Sequence, residues 1–349
     1  MIKKIVTILS ISIMCFTSMG FESYAKGKYN RTLIEGNTRQ ISMKLNESAF
    51  KKADEAILIN EDAIIDGISV TPLAYAKNAP IIPVKWKDID KSTEDYLDKI
   101  GVKKITIIGS LQSVSKTSEN HLKQLGYEVN RIYGDNRYDT SMKIATELND
   151  IKEVNNIILI HANAGLENPL SIYSYAAQNN TPIIWSDGEN FEDVKSYISK
   201  NKIEEVYAIR YTERFSYNLN ENIENVEIIE EINKAQGNIK FIKHLQKNLT
   251  NKVYAINVEY GNRSNINEYI SLGVVAAKQN IPIFICEERL TKPQENYLDK
   301  NNIDYLEQIG SKINDYSIYN TLMSKSFIYS IILIIVLIIM LIRAFIHKG

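Results

Sequence analysis

Three cationic residues surround one predicted turn near the middle of the chain. Arg131 and Arg137 flank Gly134, and Lys143 follows within two turns of a predicted helix. A guanidinium fork matches the oxygens of a phosphate or a carboxylate, so this group is a candidate site for an anionic ligand. A second interpretation stays open, because Arg137 and Asp135 could instead pair with each other and stabilise the turn.

Motifs for catalysis are scarce. The chain lacks G-x-S-x-G, H-E-x-x-H and G-x-x-x-x-G-K-[ST], which mark common hydrolase, zinc and nucleotide sites. Asp88 and Asp90 form a D-x-D pair that could bind magnesium. This pair occurs once in the chain and has no obvious partner glutamate. His121, His161 and His244 lack the spacing of metal ligands. We therefore predict a protein that is not an enzyme and that holds neither a cofactor nor a metal.

An alanine-rich segment that ends in proline and leads into an apolar run occurs three times. The prolines are Pro80, Pro182 and Pro282, spaced 102 and 100 residues apart. The aliphatic residues that follow them are Ile81, Ile82, Ile183, Ile184 and Ile283. A period of this length corresponds to one small domain rather than to a solenoid repeat, so the sequence predicts three copies of one module.

Strand and helix patterns alternate within each period. In the first period, apolar runs at 56–60, 81–84 and 105–109 predict strands, and segments at 62–76 and 92–100 predict helices. Short apolar runs between helices are typical of parallel strands covered on both faces, so the predicted fold class is α/β. The third period has no closing strand of its own. After Gly134, the predicted helix has Asp139 or Thr140 as its N-cap.

The two ends of the chain predict export and a membrane anchor. Lys3 and Lys4 precede an apolar run, and Ala25 closes a small-x-small pattern, which predicts a signal peptide over residues 1–25. Residues 326–346 are apolar enough to cross a lipid bilayer, and the basic residues near their end place the tail 347–349 in the cytoplasm. These features predict a single-pass type I protein of the cell membrane, with its bulk outside.

Charge and cysteine content argue against a nucleic-acid partner and against a disulfide-stabilised fold. The formal net charge is −1, so bulk charge does not select an anionic ligand. Because the chain has no basic run and carries an export pattern, we predict no nucleic-acid partner. Cys15 lies in the predicted signal peptide and Cys286 in an apolar strand, which leaves no disulfide framework.

The stretch from Arg131 to Ala145 resembles the signature of the cell wall binding repeat 2 family of Gram-positive surface proteins. That signature is close to R-I-x-G-x-D-R-Y-x-T-x-x-x-I-A. The segment from Ile107 to Ser115 resembles the family's I-x-G-G-x-x-x-V-S pattern, and Asp66 occupies its D-A-L helix. The resemblance implies three tandem Rossmann-like or Toprim-like modules with parallel sheets in a pseudo-threefold arrangement. It also implies attachment to an anionic cell wall polymer through several weak sites.

The candidate ligand-binding residues combine the cations, the acidic helix residue and the proline-led strands. They are Arg131, Arg137, Lys143, Asp66, Pro80, Ile81, Ile82, Pro182, Ile183, Ile184, Pro282 and Ile283. A structural interpretation stays open for two groups. The prolines could simply end a helix before a buried strand, and Asp66 could be a hydrogen-bonding residue on a helix surface.

The match to the family weakens along the chain. Asn168 and Asn267 occupy the position of Asp66, and Arg210 begins a segment that replaces the glycine turn of the second repeat. The predicted division is a signal peptide at 1–25, modules at 26–130, 131–230 and 231–323, a transmembrane helix at 326–346 and a tail at 347–349. The third module is the most degenerate.

These features together predict a non-catalytic surface protein. Its tandem modules would contact an anionic wall polymer while the C-terminal helix anchors it in the lipid bilayer, facing the wall. One alternative is a membrane-anchored scaffold that binds other envelope proteins, or an accessory factor in wall polymer assembly. A third possibility is an uncharacterised polymer-modifying enzyme.

Overall fold

Parallel sheets flanked by helices make up the protein. The computed structural model describes residues 28–230, 250–258 and 266–316, together with positions 235, 237–239, 242, 329, 332, 333 and 336. Within these residues the chain forms three four-stranded sheets whose neighbouring strands all pair in parallel. The predicted α/β class with parallel sheets is confirmed, and each sheet contains one of the three proline-led strands.

The three sheets share one topology, with orders β3-β2-β4-β5, β7-β6-β8-β9 and β11-β10-β12-β1. Their strands are β1 Asn30–Ile34, β2 Glu55–Asn60, β3 Ile81–Val84, β4 Lys104–Ile108, β5 Glu128–Ile132, β6 Asn156–His161, β7 Ile183–Ser186, β8 Glu205–Ile209, β9 Val226–Ile229, β10 Lys252–Asn257, β11 Ile283–Cys286 and β12 Tyr305–Ile309.

Helices connect the strands and cover the sheets. Those described are α1 Thr38–Ala49, α2 Ile64–Ala76, α3 Lys91–Ile100, α4 Lys116–Gln124, α5 Arg137–Ile151, α6 Glu167–Gln178, α7 Glu192–Asn201, α8 Glu213–Asn222, α9 Leu272–Gln279 and α10 Lys292–Lys300. A short 3₁₀ turn, Ile266–Tyr269, precedes α9.

An asparagine ends each of the helices α2, α6 and α9. Asn78, Asn180 and Asn280 have φ values of 52°, 50° and 55°, in the left-handed region that asparagine tolerates well. The N–H of the next residue then donates to a helix carbonyl four residues before the asparagine, at 2.8, 2.8 and 3.0 Å. This is the Schellman end of a helix. The proline that follows cannot continue the helix, so the repeated Asn-x-Pro is a helix stop.

The strand nearest the N-terminus closes the sheet nearest the C-terminus. Strand β1 pairs with β12 in register from Asn30↔Tyr305 to Ile34↔Ile309. The Arg31 guanidinium also pairs with Asp315, and the Lys28 backbone N–H donates to the same carboxylate at 3.0 Å. The closing strand that the third period lacks is thus supplied by residues which the sequence-based division assigned to the first module.

The predictions for the two chain ends have different outcomes. The predicted signal peptide, 1–25, lies outside the described residues. In the part of the chain that the structure describes, no helix has the length and apolar character required to cross a membrane. On this finding the predicted location, a single-pass type I protein of the cell membrane with a bilayer partner, is wrong. The segment 326–346 and the tail 347–349 fall outside the described residues except at four positions.

The helices α2, α6 and α9 are buried on every face. In α2 all residues from Gly67 to Ala74 are buried, and the same holds in α6 from Glu167 to Ser174 and in α9 from Leu272 to Ala277. A helix that is buried all round lies inside a protein core. Here each of the three contacts the other two, and α2 and α6 also contact strands of a sheet. Their side chains belong to one continuous apolar cluster that spans all three sheets.

In the second and third sheets, a polar side chain accepts a hydrogen bond from a backbone N–H of the edge strand. The Trp185 N–H of β7 donates to Ser141 Oγ at 3.1 Å, and the Ile285 N–H of β11 donates to Asn238 Oδ1 at 3.1 Å. Proline stands at the corresponding position of β3, Pro83, and has no N–H to donate. As a result, Ser42 Oγ and Asn46 Oδ1 are buried without a partner among the described residues.

We expect Gly273→Ala to destabilise the protein by roughly 1–3 kcal/mol, because the helices α6 and α9 would be overpacked. A Cβ at position 273 would lie 2.4 Å from Cδ2 of the Tyr173 ring. Gly67 of α2 is the matched control, since its nearest neighbours on Ile270 begin at 3.4 Å. Gly67→Ala should be neutral or stabilise by up to about 1 kcal/mol through helix propensity. Urea unfolding gives the free energy of unfolding of both variants. An equal loss of stability in the two would contradict the packing argument.

We expect Ser141→Ala to cost roughly 1–3 kcal/mol, because the Trp185 N–H would be left buried and unpaired. Ser42 is the matched control, since each serine lies five residues after the asparagine N-cap of its helix, Asn37 or Asn136. Ser42→Ala removes a hydroxyl without a partner and should change the free energy of unfolding by about zero, or slightly stabilise. Chemical denaturation gives the free energy of unfolding of both variants. A similar loss of stability in the two would show that the Ser42 hydroxyl has a hydrogen-bond partner despite Pro83.

Candidate functional site

A cavity of about 490 Å³ opens where the strands of the first sheet end. The loops that follow β2, β4 and β5 line it, through residues 62–66, residues 109, 110 and 113, and residues 134–137. Leu166 of the second repeat, with Ile266 and Asn267 of the third, completes the wall. Ligands of open parallel sheets bind at the carboxyl ends of the strands, so the cavity is in the expected place for a site. All three repeats contribute to it.

The loop from Gly109 to Ser113 is held in place by Arg131. Gly109 has a φ of +98°, and a Cβ there would lie 2.6 Å from Ser113 Oγ. Arg131 Nη1 donates to the carbonyls of Gly109 and Ser110 at 2.7 and 3.0 Å, and Nη2 donates to the Val114 carbonyl at 2.9 Å. With these donors in use, the role that the geometry gives Arg131 is to position the loop.

The remaining donors of Arg131 contact Glu119 of α4. Arg131 Nε and Nη2 lie 3.2 and 3.0 Å from Glu119 Oε2. Burial works to raise the pKa of Glu119, but hydrogen bonds from Lys116, Lys123 and Arg131 outweigh it and lower that pKa to about 2. The carboxylate is therefore ionised at any physiological pH and keeps Arg131 in place.

The turn that leads into α5 is built from its own side chains. Asn136, not the predicted Asp139 or Thr140, is the N-cap, and its Oδ1 accepts from the N–H groups of Tyr138 and Asp139 at 2.9 and 3.0 Å. Asp139 instead accepts from the Asp135 N–H at 3.0 Å, and Thr140 Oγ1 accepts from the Gly134 N–H at 3.0 Å. The predicted helix start is too late, because the Asn136 side chain caps the helix before Asp139 and Thr140 are reached.

Arg137 and Asp66 line the same cavity but differ in charge and in exposure to solvent. Arg137 is the first residue of α5 and is exposed, and no salt bridge of the described residues involves it. Asp66 lies in the first turn of α2, mostly buried, and accepts no hydrogen bond from a described residue. Burial raises the pKa of Asp66 to about 6, although the nearby positive charge of Arg137 opposes the shift.

The first turn of α2 is also open toward the cavity. Its N-cap is Ala63, which has no side chain able to accept the free N–H groups of the turn, and residues 63–65 line the cavity. Uncapped helix N-termini favour anions through these N–H groups and the helix dipole. An anion in the cavity would therefore meet both this helix end and the Arg137 guanidinium.

Glu268, rather than Asn267, is the counterpart of Asp66 in the third repeat. A Cβ built on Gly310, after β12, would lie 2.0 Å from Glu268 Oε2, just as Gly109 after β4 lies beside Asp66. Burial raises the pKa of Glu268, and its Oε2 has no partner among the described residues. Counting fourteen residues back from each proline finds Asp66, Asn168 and Glu268, so the sequence contained the pattern that identifies this residue.

In the second repeat, aromatic rings occupy the corresponding end of the sheet. The His161 ring, at the end of β6, stacks on Tyr211 with a centroid distance of 4.3 Å and packs edge-on against Phe215 at 5.2 Å. Burial lowers the pKa of His161, so the imidazole is neutral at physiological pH. This end of the second sheet therefore differs chemically from the charged cavity of the first.

The other predicted site residues lie elsewhere. Lys143 is half-exposed on α5, 3.2 Å from Asp139, and donates to the Tyr133 carbonyl at 3.1 Å. The residues of the proline-led strands are buried, and their side chains present no surface to a polymer: Pro80, Ile81, Ile82, Pro182, Ile183, Ile184, Pro282 and Ile283. Of the predicted residues, the structure brings together Asp66 and Arg137 at the cavity.

The D-x-D pair is not arranged as a shared site. Asp90 is the N-cap of α3, where its Oδ1 accepts from the Thr93 N–H at 2.9 Å, and it also pairs with Arg39. Asp88 is exposed on the preceding loop. These contacts give Asp90 a structural role.

Known proteins with sequence similarity include two from Bacillus subtilis (strain 168). The N-acetylmuramoyl-L-alanine amidase LytC is 25% identical over 199 residues, which is 57% of this chain and 38% of that protein. The Amidase enhancer is 33% identical over 148 residues, which is 42% of this chain and 20% of that protein. The chain thus spans well under half the length of either relative.

Solved structures share the fold. Cwp8 from Clostridium difficile has a TM-score of 0.69 and 25% identity, over 87% of this chain and 53% of that one. Cwp6 from Clostridium difficile has a TM-score of 0.68 and 23% identity, over 81% of this chain and 46% of that one. The family model described as cell wall binding domain 2 (CWB2) matches residues 34–119 and 131–220, about half of the chain. The predicted family is thereby confirmed, and the chain belongs to the cell wall binding domain 2 family.

Proposed function

We propose that the protein binds the cell wall without catalysing a reaction, by holding an anionic wall polymer in the cavity between Asp66 and Arg137. Its three units, at 26–130, 131–230 and 231–323, would surround a pseudo-threefold axis. The observation that carries the proposal is the free, exposed Arg137 beside an uncapped helix end in a cavity formed by three repeats. Membership of a wall-binding family supports the same conclusion.

The cavity suits a charged sugar better than a simple anion. Arg137 provides a fork for a phosphate or carboxylate group of the polymer. Asp62 and Asp135 also line the cavity, and carboxylate oxygens accept hydrogen bonds from sugar hydroxyls. A glycan that carries both hydroxyl and anionic groups would use both sets of residues.

The name of LytC states an amidase activity, and this chain covers 38% of that protein. The alternatives of a scaffold for envelope proteins, an accessory factor in polymer assembly and a polymer-modifying enzyme predict different behaviour with purified walls. Retention that persists after the anionic polymer is stripped would favour a protein partner. Turnover of wall polymer that is lost in Asp88→Asn/Asp90→Asn would favour an enzyme.

We expect Arg137→Glu to weaken retention on purified walls roughly tenfold or more, because a charge-assisted contact is replaced by a repulsive one. The assay is co-sedimentation with walls before and after acid stripping of the anionic polymer. Arg214→Glu is the matched control, since Arg214 is also an exposed arginine in the first turn of a helix, α8, but lies outside the cavity. Equal retention of the Arg137 and Arg214 variants would remove Arg137 from the site.

We expect Asp66→Asn to stabilise the protein at pH 8 by up to about 3 kcal/mol, and to have little effect at pH 4. The pKa of Asp66 is about 6 in the folded protein and near 4 in an unfolded chain, a difference of about two units at about 1.4 kcal/mol each. The folded state therefore binds the proton more tightly, and the cost of the charge appears as the pH rises from about 4 through 6.

Urea unfolding of the native protein and the Asp66 variant at both pH values measures this difference. Asp54→Asn is the control substitution, since Asp54 is exposed and lies outside the cavity. Because the ionised Asp66 repels an anion, wall retention of the native protein should also rise between pH 8 and pH 5. The variant should lose that dependence, and an unchanged pH profile would contradict the assignment.

A further inference from the structure

An exposed tryptophan lies beside the cavity, on the loop that follows β3. Trp86 is 45% exposed, and Leu111 beside it is 50% exposed. The Trp86 ring is fixed, since its Nε1–H donates to the Leu111 carbonyl at 2.8 Å. Its backbone is fixed as well, because the Trp86 carbonyl accepts from the Ser115 N–H at 2.8 Å and from Ser118 Oγ at 3.1 Å. The exposed ring is thus a rigid surface feature.

Two lysines flank the ring without a carboxylate partner. Lys87 Nζ lies 4.5 Å from the centre of the Trp86 ring, in cation–π contact. Lys85 and Lys87 are both exposed, and no salt bridge involves either of them within the described part of the chain. Their positive charges are therefore available to an anionic partner.

The same loop has the opposite charge in the other two repeats. After β7 the chain reads Asp187, Gly188 and Glu189, and after β11 it reads Glu287, Glu288 and Arg289. Gly188 cannot be replaced by a tryptophan without strain, because its φ is +79° and a Cβ there would lie 2.8 Å from Cδ2 of the His161 ring. The tryptophan with two lysines is thus a property of the first repeat, the one that also contains the Asp66–Arg137 cavity.

The loop and the cavity are joined by one short segment. Gly109, Ser110 and Ser113 of this segment line the cavity, and Leu111 between them accepts the hydrogen bond from Trp86. A polymer chain that leaves the cavity over this segment would therefore reach the Trp86 ring. Sugar rings bind flat aromatic faces through their apolar C–H surface, and lysine ammonium groups pair with phosphate or carboxylate.

We propose that Lys85, Trp86 and Lys87 form a second contact site for the anionic wall glycan, in which the ring of Trp86 stacks on a sugar and the two lysines pair with the anionic groups next to it. This site rests on the proposed function, since it lengthens the surface that the polymer occupies. The occupant is a polymer with alternating sugar and anionic groups. Charge complementarity selects it over a neutral glycan, and continuity with the cavity selects it over an unrelated partner.

The test uses the full chain with purified walls and with polymer extracted from them. Trp86→Ala should weaken wall binding roughly three- to tenfold, the range expected for loss of one aromatic contact. Lys85→Gln/Lys87→Gln should reduce binding at low salt and flatten its dependence on sodium chloride, because fewer ionic contacts remain to be screened. Matched controls are Tyr217→Ala, which removes an exposed ring of α8, and Lys51→Gln/Lys52→Gln, which removes another exposed lysine pair. Neither control should change binding.

Fluorescence gives a second readout that does not depend on retention. The chain has two tryptophans, and Trp185 is 1% exposed in the core. Extracted polymer should therefore change the emission of the native protein through Trp86, and the change should vanish in Trp86→Phe. An unchanged emission spectrum of the native protein with saturating polymer would overturn the proposal.

The outcomes separate this site from the proposed function. If native protein binds walls and Trp86→Ala binds equally well, the tryptophan site is refuted while the cavity proposal stands. If native protein does not bind walls, the proposed function itself fails. Tryptophan and lysine also suit a lipid surface, so vesicles containing phosphatidylglycerol form a third arm. Loss of vesicle binding in Trp86→Ala, with wall binding unchanged, would overturn the glycan site in favour of a lipid contact.

Discussion

The contact among the helices α2, α6 and α9 is the constraint on which the rest of the molecule depends. The central residues of each are buried, because each helix packs against its two counterparts and α2 and α6 also lie against a sheet. Burial of apolar surface is the main favourable contribution to folding, and here it crosses the boundaries between repeats. The repeats therefore share a core, and the cavity lies where the first turn of α2, the N-cap of α6 and the 3₁₀ turn before α9 converge.

Polar groups inside this shared core fix how the repeats sit against one another. Trp185 Nε1 donates to Ser69 Oγ at 2.8 Å, Ser271 Oγ donates to the Ile81 carbonyl at 2.7 Å, and the Tyr173 hydroxyl donates to the Tyr269 carbonyl at 3.3 Å. Each bond joins two different repeats. Because an unpaired polar group is costly when buried, these bonds disfavour other arrangements of the three units. Close packing of Gly273 on Tyr173 adds a steric condition to the same effect.

Repeats that share a fold have diverged in chemistry at the carboxyl ends of their strands. The first sheet ends beside the partly buried Asp66 and the exposed Arg137 guanidinium, the second beside a stack of aromatic rings, and the third beside the partly buried Glu268. Burial of an ionisable acid costs free energy, and such a cost is typical of sites shaped for a ligand rather than for stability. The first repeat is for this reason the one on which the proposed polymer contacts are built. The strand order that the three sheets share does not extend to a shared set of side chains where a ligand would bind.

Arg131 and Arg137 illustrate where the sequence stops being informative. Both belong to one motif and were equal candidates for binding an anion, yet the donors of one are used by backbone carbonyls and Glu119 while the other is exposed. Residue type gives the capacity to bind, but burial and partners decide whether that capacity remains free. The same reasoning applies to the proline-led strands. Their apolar residues recur in the sequence, but they lie inside the core and are not available to a ligand.

By itself, the sequence determined the features that depend on neighbouring residues. The alternation of strands and helices, the parallel sheets and the three helix stops at Asn-x-Pro follow from local periodicity and backbone preferences. Only the tertiary structure decided which distant segments meet. It placed β1 in the third sheet, and it brought Asp66, Arg137 and Trp86 to the same end of the first sheet. Pairing across hundreds of residues depends on the packing of the whole chain, and no local pattern encodes it.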